Sequence, residues 1–328
     1  MRVAINGMGR IGRLLFRRLL NQEGIELVAV NDVMPVVNLV YLLKYDSLYG
    51  PLHKAISRED GLITVDGKKI QAFQEEDPLR LDWKGLGIDM VLECSGRFSS
   101  RDGAEKHLKA GARKVLLSTT GSEDIPLLIF GFNQHQLDAS VDIVSPGGCM
   151  TNCSTHILYL MQSIGIESAH FNILHSYTSR QELVDTAHPQ FRRGRAAAES
   201  IIPVEIDLVK SLDRLFPLKG QLAAMSIRVP VTNGALTDVT LQMKEEVSRE
   251  QVNAIFKKAA ESNYASVLDY TEDELVSADI KGNTHSLIID GSLTSVVGKQ
   301  VKLIAWFDNE YGYTSRMLDW LHYWKAML

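Results

Sequence analysis

Cysteine is scarce in this chain: three in 328 residues, Cys94, Cys149 and Cys153. So few, and an odd number, exclude a disulfide framework and fit a reducing compartment, so a cytoplasmic protein is expected. No stretch approaches the roughly 20 consecutive apolar residues of a membrane helix. The opening Met1-Arg2-Val3-Ala4-Ile5 lacks the basic and apolar regions of a secretory signal. No membrane association is expected. Neither sign of charge is in large excess: 35 Lys+Arg against 40 Asp+Glu leave a net −5. That balance disfavours non-specific nucleic-acid binding. Low-complexity tracts and internal repeats are absent. Cys149, Cys153 and His156 have no second Cys or His pair at zinc spacing, so no metal is expected. The remainder is ordinary for a globular protein, with 45% hydrophobic and 23% charged residues. The length exceeds a single core and predicts two domains.

The chain begins with a complete supersecondary unit. Arg2 to Asn6 reads as a short buried strand, and Gly7-Met8-Gly9-Arg10-Ile11-Gly12 follows at once. A helical pattern comes next, with Ile11, Leu14, Leu15, Leu19 and Leu20 on one side. A second strand, Glu26 to Val30, ends in Asn31-Asp32. Glycines at 7, 9 and 12 allow a tight turn and close approach of backbone to a pyrophosphate. Asp32 lies where an acid accepts bonds from the adenosine ribose. The unit predicts a dinucleotide site, and Asp32 predicts NAD over NADP, since it would repel a 2′-phosphate.

Strand and helix patterns then alternate: Asp89–Cys94, Ser100–Gly111, Lys114–Ser118, Leu127–Phe130 and Val141–Val144. Crossovers in series predict a doubly wound parallel sheet. Asp66-Gly67 marks a hairpin inserted into it. Beyond a helix from about Thr151 to Ser163, the pattern changes. Strands recur with few helices at 169–175, 223–231, 236–243, 266–270, 285–289 and 301–307. That run predicts a mostly antiparallel sheet with one amphipathic helix, Ser248 to Ser262. The expected architecture is α/β: a dinucleotide-binding domain over 1–148, rejoined by a C-terminal helix over 313–328, and an α+β domain over 149–312.

Ser145-Pro146-Gly147-Gly148-Cys149 makes a tight loop ahead of a helix. Cys149 therefore sits at or just before a helix start, where free N–H groups and the dipole favour a thiolate. A lone Cys in such a place is more often a packed residue. His175 ends an apolar strand, within reach of a site at strand tips. Alone it reads as structural; together with Cys149 it offers a nucleophile and its acid/base partner.

The sequence resembles the glyceraldehyde-3-phosphate dehydrogenase family, including its erythrose-4-phosphate dehydrogenase branch, over essentially all its length. The matching stretches are Ile5-Asn6-Gly7 with Gly9-Arg10-Ile11-Gly12-Arg13, Asn31-Asp32, Lys44-Tyr45-Asp46-Ser47, and Glu93-Cys94-Ser95-Gly96. The others are Cys149 with Thr151-Asn152-Cys153, His175-Ser176-Tyr177-Thr178, Arg195 to Pro203, Arg228-Val229-Pro230, and Trp306 to Tyr313. The resemblance implies that Cys149 is the nucleophile and His175 its acid/base partner. Gly7, Gly9, Arg10, Ile11, Gly12, Asp32, Glu76, Ser118, Asn309 and Tyr313 would hold NAD, with Asn309 on the nicotinamide carboxamide. Thr178 and Arg228 match positions that hold a substrate phosphate, and Thr151, Arg180 and Arg195 are further candidates for anion binding. A homotetramer is implied, with the arm from Arg180 to Ser200 between subunits.

Departures from the family pattern cluster near the nucleophile. Gly148 and Met150 flank Cys149 where the family usually carries Ser and Thr. Val204-Glu205-Ile206-Asp207 replaces a Thr-Gly-Ala-Ala stretch, and Arg180 stands where an Asp is usual. The expected activity is NAD-dependent oxidation of a phosphorylated aldose, first of all glyceraldehyde 3-phosphate, with acyl transfer to phosphate. Two other readings stay open: non-phosphorylating oxidation of erythrose 4-phosphate with hydrolytic release, and an NAD-binding regulatory protein of weak turnover.

Overall fold

A computed structural model describes residues 1–327. The chain divides into two compact units. The first comprises Met1–Leu128, Asn133–Gly148 and the chain from Met317 onward; the second comprises Ile129–Phe132 and Cys149–Arg316.

The first unit carries β1 (Arg2–Asn6), α1 (Arg10–Leu19), β2 (Glu26–Asn31), α2 (Val36–Lys44), β3 (Ile56–Glu59), β4 (Leu62–Val65), β5 (Lys68–Phe73), β6 (Met90–Glu93), α3 (Arg101–Lys109), β7 (Lys114–Leu117) and β8 (Ile143–Val144). Its sheet runs β3-β4-β5-β2-β1-β6-β7-β8. From β5 to β8 every pairing is parallel. The predicted hairpin is β4–β5, and its turn residues Asp66 and Gly67 both take positive φ, as a two-residue type I′ turn demands. Strands β6 and β7 are buried at every residue, the pattern of a sheet covered on both faces. One cluster of the core gathers Ala4, Val28, Ala29, Trp83, Ile88 and Val91. The apolar run Leu127–Phe130 does not form the expected strand. Only Leu127 bridges, to Ser145, and Ile129 and Phe130 already belong to the second unit. Apolar residues there mark a buried crossing of the chain, not a ladder.

The second unit carries α4 (Cys149–Met161), β9 (Ile166–Ser176), β10 (Ile202–Val204), α5 (Leu208–Asp213), β11 (Leu222–Val229), β12 (Ala235–Met243), α6 (Arg249–Ala260), β13 (Leu268–Thr271), β14 (Leu287–Asp290), β15 (Ser295–Val297) and β16 (Gln300–Phe307). The sheet order is β10-β11-β9-β12-β16-β14-β13, with β15 on β16. It is mostly antiparallel, as the run of strands predicts, with β11–β9 and β13–β14 parallel. Helix α6 starts with a capping box, Ser248 accepting from the Gln251 N–H while the Gln251 side chain accepts from the Ser248 N–H. Residues of α4, β9, β12 and β16 pack into one apolar core with Phe171, Phe256 and Phe307. The last helix, α7, is Tyr311–Lys325; of the span expected to be helical, Leu328 lies outside the described residues. No helix among the described residues is long and apolar enough to cross a membrane.

Candidate active site

The sequence-predicted site residues fall into two groups, one in each unit. In the first unit, Gly7, with φ 94°, turns the chain out of β1. A Cβ on Gly7 would meet the Ser95 backbone N at 2.3 Å, and one on Gly12 would meet the Gly7 carbonyl at 2.0 Å. Gly9 has nothing within 4 Å of a Cβ position. The loop is thus closely seated underneath and open above at Gly9. Gly9 also caps α1 with no side-chain acceptor and no acid in the first turn. Backbone N–H groups at such a helix start suit a pyrophosphate. Asp32 is positioned by the glycine loop and by its own turn: one carboxylate oxygen accepts the Met8 N–H at 2.5 Å and the other the Met34 N–H at 2.9 Å. The Arg10 guanidinium is engaged in a bidentate pair with Asp46, so Arg10 offers backbone, like Ile11 beside it. Glu76 is exposed after β5, and Ser118 follows β7, its N–H on the Glu93 carbonyl. These residues fit a dinucleotide, with an acid at the ribose position and a glycine cradle at the phosphates.

In the second unit, the register of the sheet assembles the chemistry. On parallel β9 and β11, His175 is opposite Arg228; on β12 it is opposite Ala235, which pairs with Phe307 of β16. One row across the sheet therefore ends in His175, Arg228 and the Phe307-Asp308-Asn309 turn. Cys149 is the first residue of α4, as its loop predicts. Its Sγ lies 3.9 Å from His175 Nε2. His175 Nδ1–H donates to the Ser176 carbonyl at 2.7 Å, which leaves Nε2 as the nitrogen facing sulfur. Arg228 reaches the same Ser176 carbonyl through Nη1 at 3.4 Å.

The electrostatics correct one expectation. A helix start was expected to depress the Cys149 pKa. Burial instead pushes the thiol up to about 11, against the opposing pull of Arg228 and the Met150 N–H. Burial also pushes His175 down to about 3, with the Arg228 charge acting in the same direction. Desolvation thus shifts both groups toward their neutral forms, and the imidazole is placed to take the thiol proton as the sulfur attacks. Cys153 is buried with Sγ near the Thr237 hydroxyl, and its thiol is pushed up to about 12 by burial. Burial raises Cys94 further still.

Asn309 is anchored through its amide oxygen, which accepts from the Gly234 N–H at 2.9 Å and the Ser176 hydroxyl at 3.3 Å. That fixes the direction of its NH₂. Asp308, beside it, accepts from the Glu310 and Tyr311 N–H groups and so starts α7, where Tyr313 is buried. Thr151 is buried on the first turn of α4. Thr178 donates its N–H and hydroxyl to Gln181 Oε1, both at 3.0 Å.

The arm divides its cations in a way the sequence does not reveal. Arg195 is exposed and paired with Asp185 at 2.9 Å. Arg193, two residues earlier and not singled out by the sequence, is 8% exposed, and its Nη1 has no hydrogen-bond partner among the described residues. Arg228 Nε and Gln181 Nε2 are likewise buried without a partner. Desolvation lowers the pKa of Arg228 to about 10; the nearby Cys149 opposes this, and the charges of Arg193 and Arg180 add to it. Arg228 and Arg193 thus each bury a donor without an acceptor among the described residues and are close enough to repel one another, an arrangement that an anion would satisfy. An arginine two residues from a paired one has no distinctive sequence signal; only the Gln190 contact to Arg193 Nε shows which one turns inward.

Residues 1–101 match the model of the glyceraldehyde 3-phosphate dehydrogenase NAD binding domain, and residues 148–309 match that of the C-terminal domain. A glyceraldehyde-3-phosphate dehydrogenase from Borreliella burgdorferi is 41% identical over 97% of this chain and 98% of its own. Glyceraldehyde-3-phosphate dehydrogenase 2 of Bacillus subtilis is 40% identical over 100% and 98%, and the Geobacillus stearothermophilus enzyme is 42% identical over 97% and 96%. Paired domains in the same order, at this identity over nearly full length, lead to one conclusion: the chain belongs to the glyceraldehyde-3-phosphate dehydrogenase family.

Proposed function

We propose that the chain oxidises glyceraldehyde 3-phosphate with NAD through a covalent intermediate on Cys149, and passes the acyl group to phosphate. The observation that carries this reading is the Cys149–His175 contact at 3.9 Å, with the far nitrogen of the imidazole held by a carbonyl. His175 Nε2 takes the thiol proton as sulfur attacks the aldehyde carbon and hands it to the carbonyl oxygen, giving a thiohemiacetal and a neutral imidazole again. The same nitrogen then takes the hydroxyl proton as hydride leaves and a thioester forms. NAD, when bound, accepts that hydride. Arg228, Arg193, Gln181, Thr178 and Arg180 hold the anionic end of the substrate and the attacking phosphate. Asn309 presents its NH₂ to the nicotinamide carboxamide, and Asp32 takes the adenosine ribose.

Residues 1–148 with 313–328 form the cofactor domain in this reading and 149–312 the catalytic domain. The protein acts in the cytoplasm as a homotetramer. Exposed Leu183, Val184 and Phe191 in the arm, with Ile201 just beyond it, support a partner surface there.

The test is NADH production from glyceraldehyde 3-phosphate and from erythrose 4-phosphate at rising phosphate and constant ionic strength. The first aldehyde is expected to be preferred. Phosphate is expected to accelerate release but saturate weakly, because Gly148 and Met150 bring no hydroxyls to it. Cys149→Ser should bind NAD and form no NADH. Rates indifferent to phosphate would favour hydrolytic release, and turnover by Cys149→Ser would remove the covalent route.

A further inference from the structure

The polar interior of the first unit contains a group that the mechanism does not use. Glu93, the last residue of β6, is 2% exposed and has no Lys or Arg partner among the described residues. Its Oε2 accepts from Asn6 Nδ2 at 2.6 Å and from His107 Nε2 at 2.9 Å. Its Oε1 accepts from the Ser95 N–H at 2.8 Å and from the Ser95 hydroxyl. His107, on α3, is itself assigned by its other side. Trp83 Nε1–H, which can only donate, meets His107 Nδ1 at 3.1 Å, so the imidazole proton sits on Nε2 and points at Glu93. Four donors converge on two oxygens and no acceptor does, so every contact of this carboxyl group is made as an acceptor.

The contacts continue along the carboxyl edge of the sheet. Asn6 Oδ1 accepts from Asn31 Nδ2 at 2.7 Å. Asn31 in turn exchanges hydrogen bonds with the Glu75 backbone, both at 2.9 Å. One chain of polar contacts therefore ties the ends of β6, β1, β2 and β5. These ends carry the Ser95 turn, the glycine loop, Asp32 and Glu76. Gly7 rests directly on the Ser95 backbone that Glu93 holds. A shift of Ser95 would move the floor of the glycine loop, and a shift of Asn6 would move Asn31 and the acid after it.

We propose that Glu93 is a positioning residue for the dinucleotide. It sets the spacing of the glycine loop and the ribose acid, and so controls cofactor affinity without touching the reacting atoms. This rests on the reading of the first unit as the NAD site. Replacement by glutamine keeps the size but sets an NH₂ either against the Asn6 and His107 donors or against the Ser95 N–H, where the Ser95 hydroxyl can turn to accept. Either way at least one donor is left facing another donor, and the charge that holds the rest is lost.

The experiment compares Glu93→Gln with the parent in three readouts: NAD dissociation constant by calorimetry, kcat at saturating NAD, and thermal stability. Ser100→Ala is the control. It removes the cap of α3, Ser100 Oγ on the Gly103 N–H, and weakens the same unit without altering the Glu93 contacts. The expected result is an NAD dissociation constant raised about tenfold or more in Glu93→Gln, as for hydrogen bonds lost to a charged group. Its kcat should stay within about twofold of the parent, while Ser100→Ala should lose stability and keep its affinity. Unchanged affinity in folded Glu93→Gln, or an affinity loss in both variants in step with stability, would overturn the proposal. If Glu93→Gln does not fold, Ser95→Ala carries the test. It removes a single donor to Oε1 and should weaken NAD binding severalfold at unchanged kcat; unchanged binding overturns the proposal. A parent protein that binds no NAD would instead overturn the cofactor reading itself.

Discussion

At the scale of single residues, the chemistry depends on burial more than on the helix start. Cys149 has backbone N–H groups and Arg228 beside it, yet desolvation prevails and the thiol is raised to about 11. Alkylation by iodoacetamide in the free protein should therefore climb about tenfold per pH unit from pH 7 to 9 and fall almost wholly on Cys149. A rate already flat below pH 7 would mean that a thiolate–imidazolium pair stands in the free site. Arg180 allows a second residue-scale prediction. It adds charge to Arg193 and Arg228 where the family usually places an acid. Arg180→Ala should raise the KM of whichever anion it serves by roughly 10- to 150-fold, the range of a charge-assisted hydrogen bond. A rise for the aldehyde alone assigns it to the substrate phosphate, and a rise for inorganic phosphate alone assigns it to the attacking one. No change in either would show that it serves neither. Cys149, His175 and Asp32 were legible because each lies at the end of an element that the sequence marks. Arg193 was not, because the arm is irregular and gives no periodicity from which an inward face can be read.

At the scale of elements, the sequence was most informative where local chemistry and tertiary pairing agree. The glycine loop, the Asp66-Gly67 hairpin and the cap of α6 each carry their own turn or capping residues. Short elements were less legible. Helix α2 and strand β10 have little pattern to display, and the apolar run at 127–130 reads as a strand although it pairs at one residue only. Helix α4 carries a consequence for stability. His156 is wholly buried on it, with Nδ1 3.3 Å from the Tyr264 hydroxyl. Burial, then the Arg316 charge, pushes its pKa down to about 3. A depressed folded-state pKa means that the unfolded chain binds the proton more readily. Stability is therefore full above the unfolded value near 6.5 and declines as pH falls from there toward 3, at up to about 1.4 kcal/mol per unit for one such group. His175 acts in the same direction. The urea midpoint should fall steadily from pH 6.5 to pH 4, and less steeply in His156→Gln. Identical slopes in both proteins would remove His156 as a cause.

At the scale of the whole molecule, the chain does not divide at a single point. The first unit takes its opening residues, returns after the short excursion at 129–132, and is completed by residues from Met317 onward. The end of α7 packs on it through specific contacts. Lys114 Nζ lies 5.9 Å from the Trp324 ring, and His322 Nε2 meets Gln22 Oε1 at 2.9 Å. A chain ending at Arg316 should therefore lose NAD binding as well as activity, although every residue of the glycine loop remains; calorimetry with NAD checks this, and retained affinity would show that the closing helix is dispensable. During translation this topology has a further effect. The N-terminal unit leaves the ribosome first but lacks the end of α7 until the residues from Met317 onward have been made. At about 5–20 residues per second, the wait after Gly148 is on the order of 10–35 s. Over that interval the surface that α7 will cover is open to chaperones and to other nascent chains. The order of synthesis thus makes the first unit to emerge the last to be sealed.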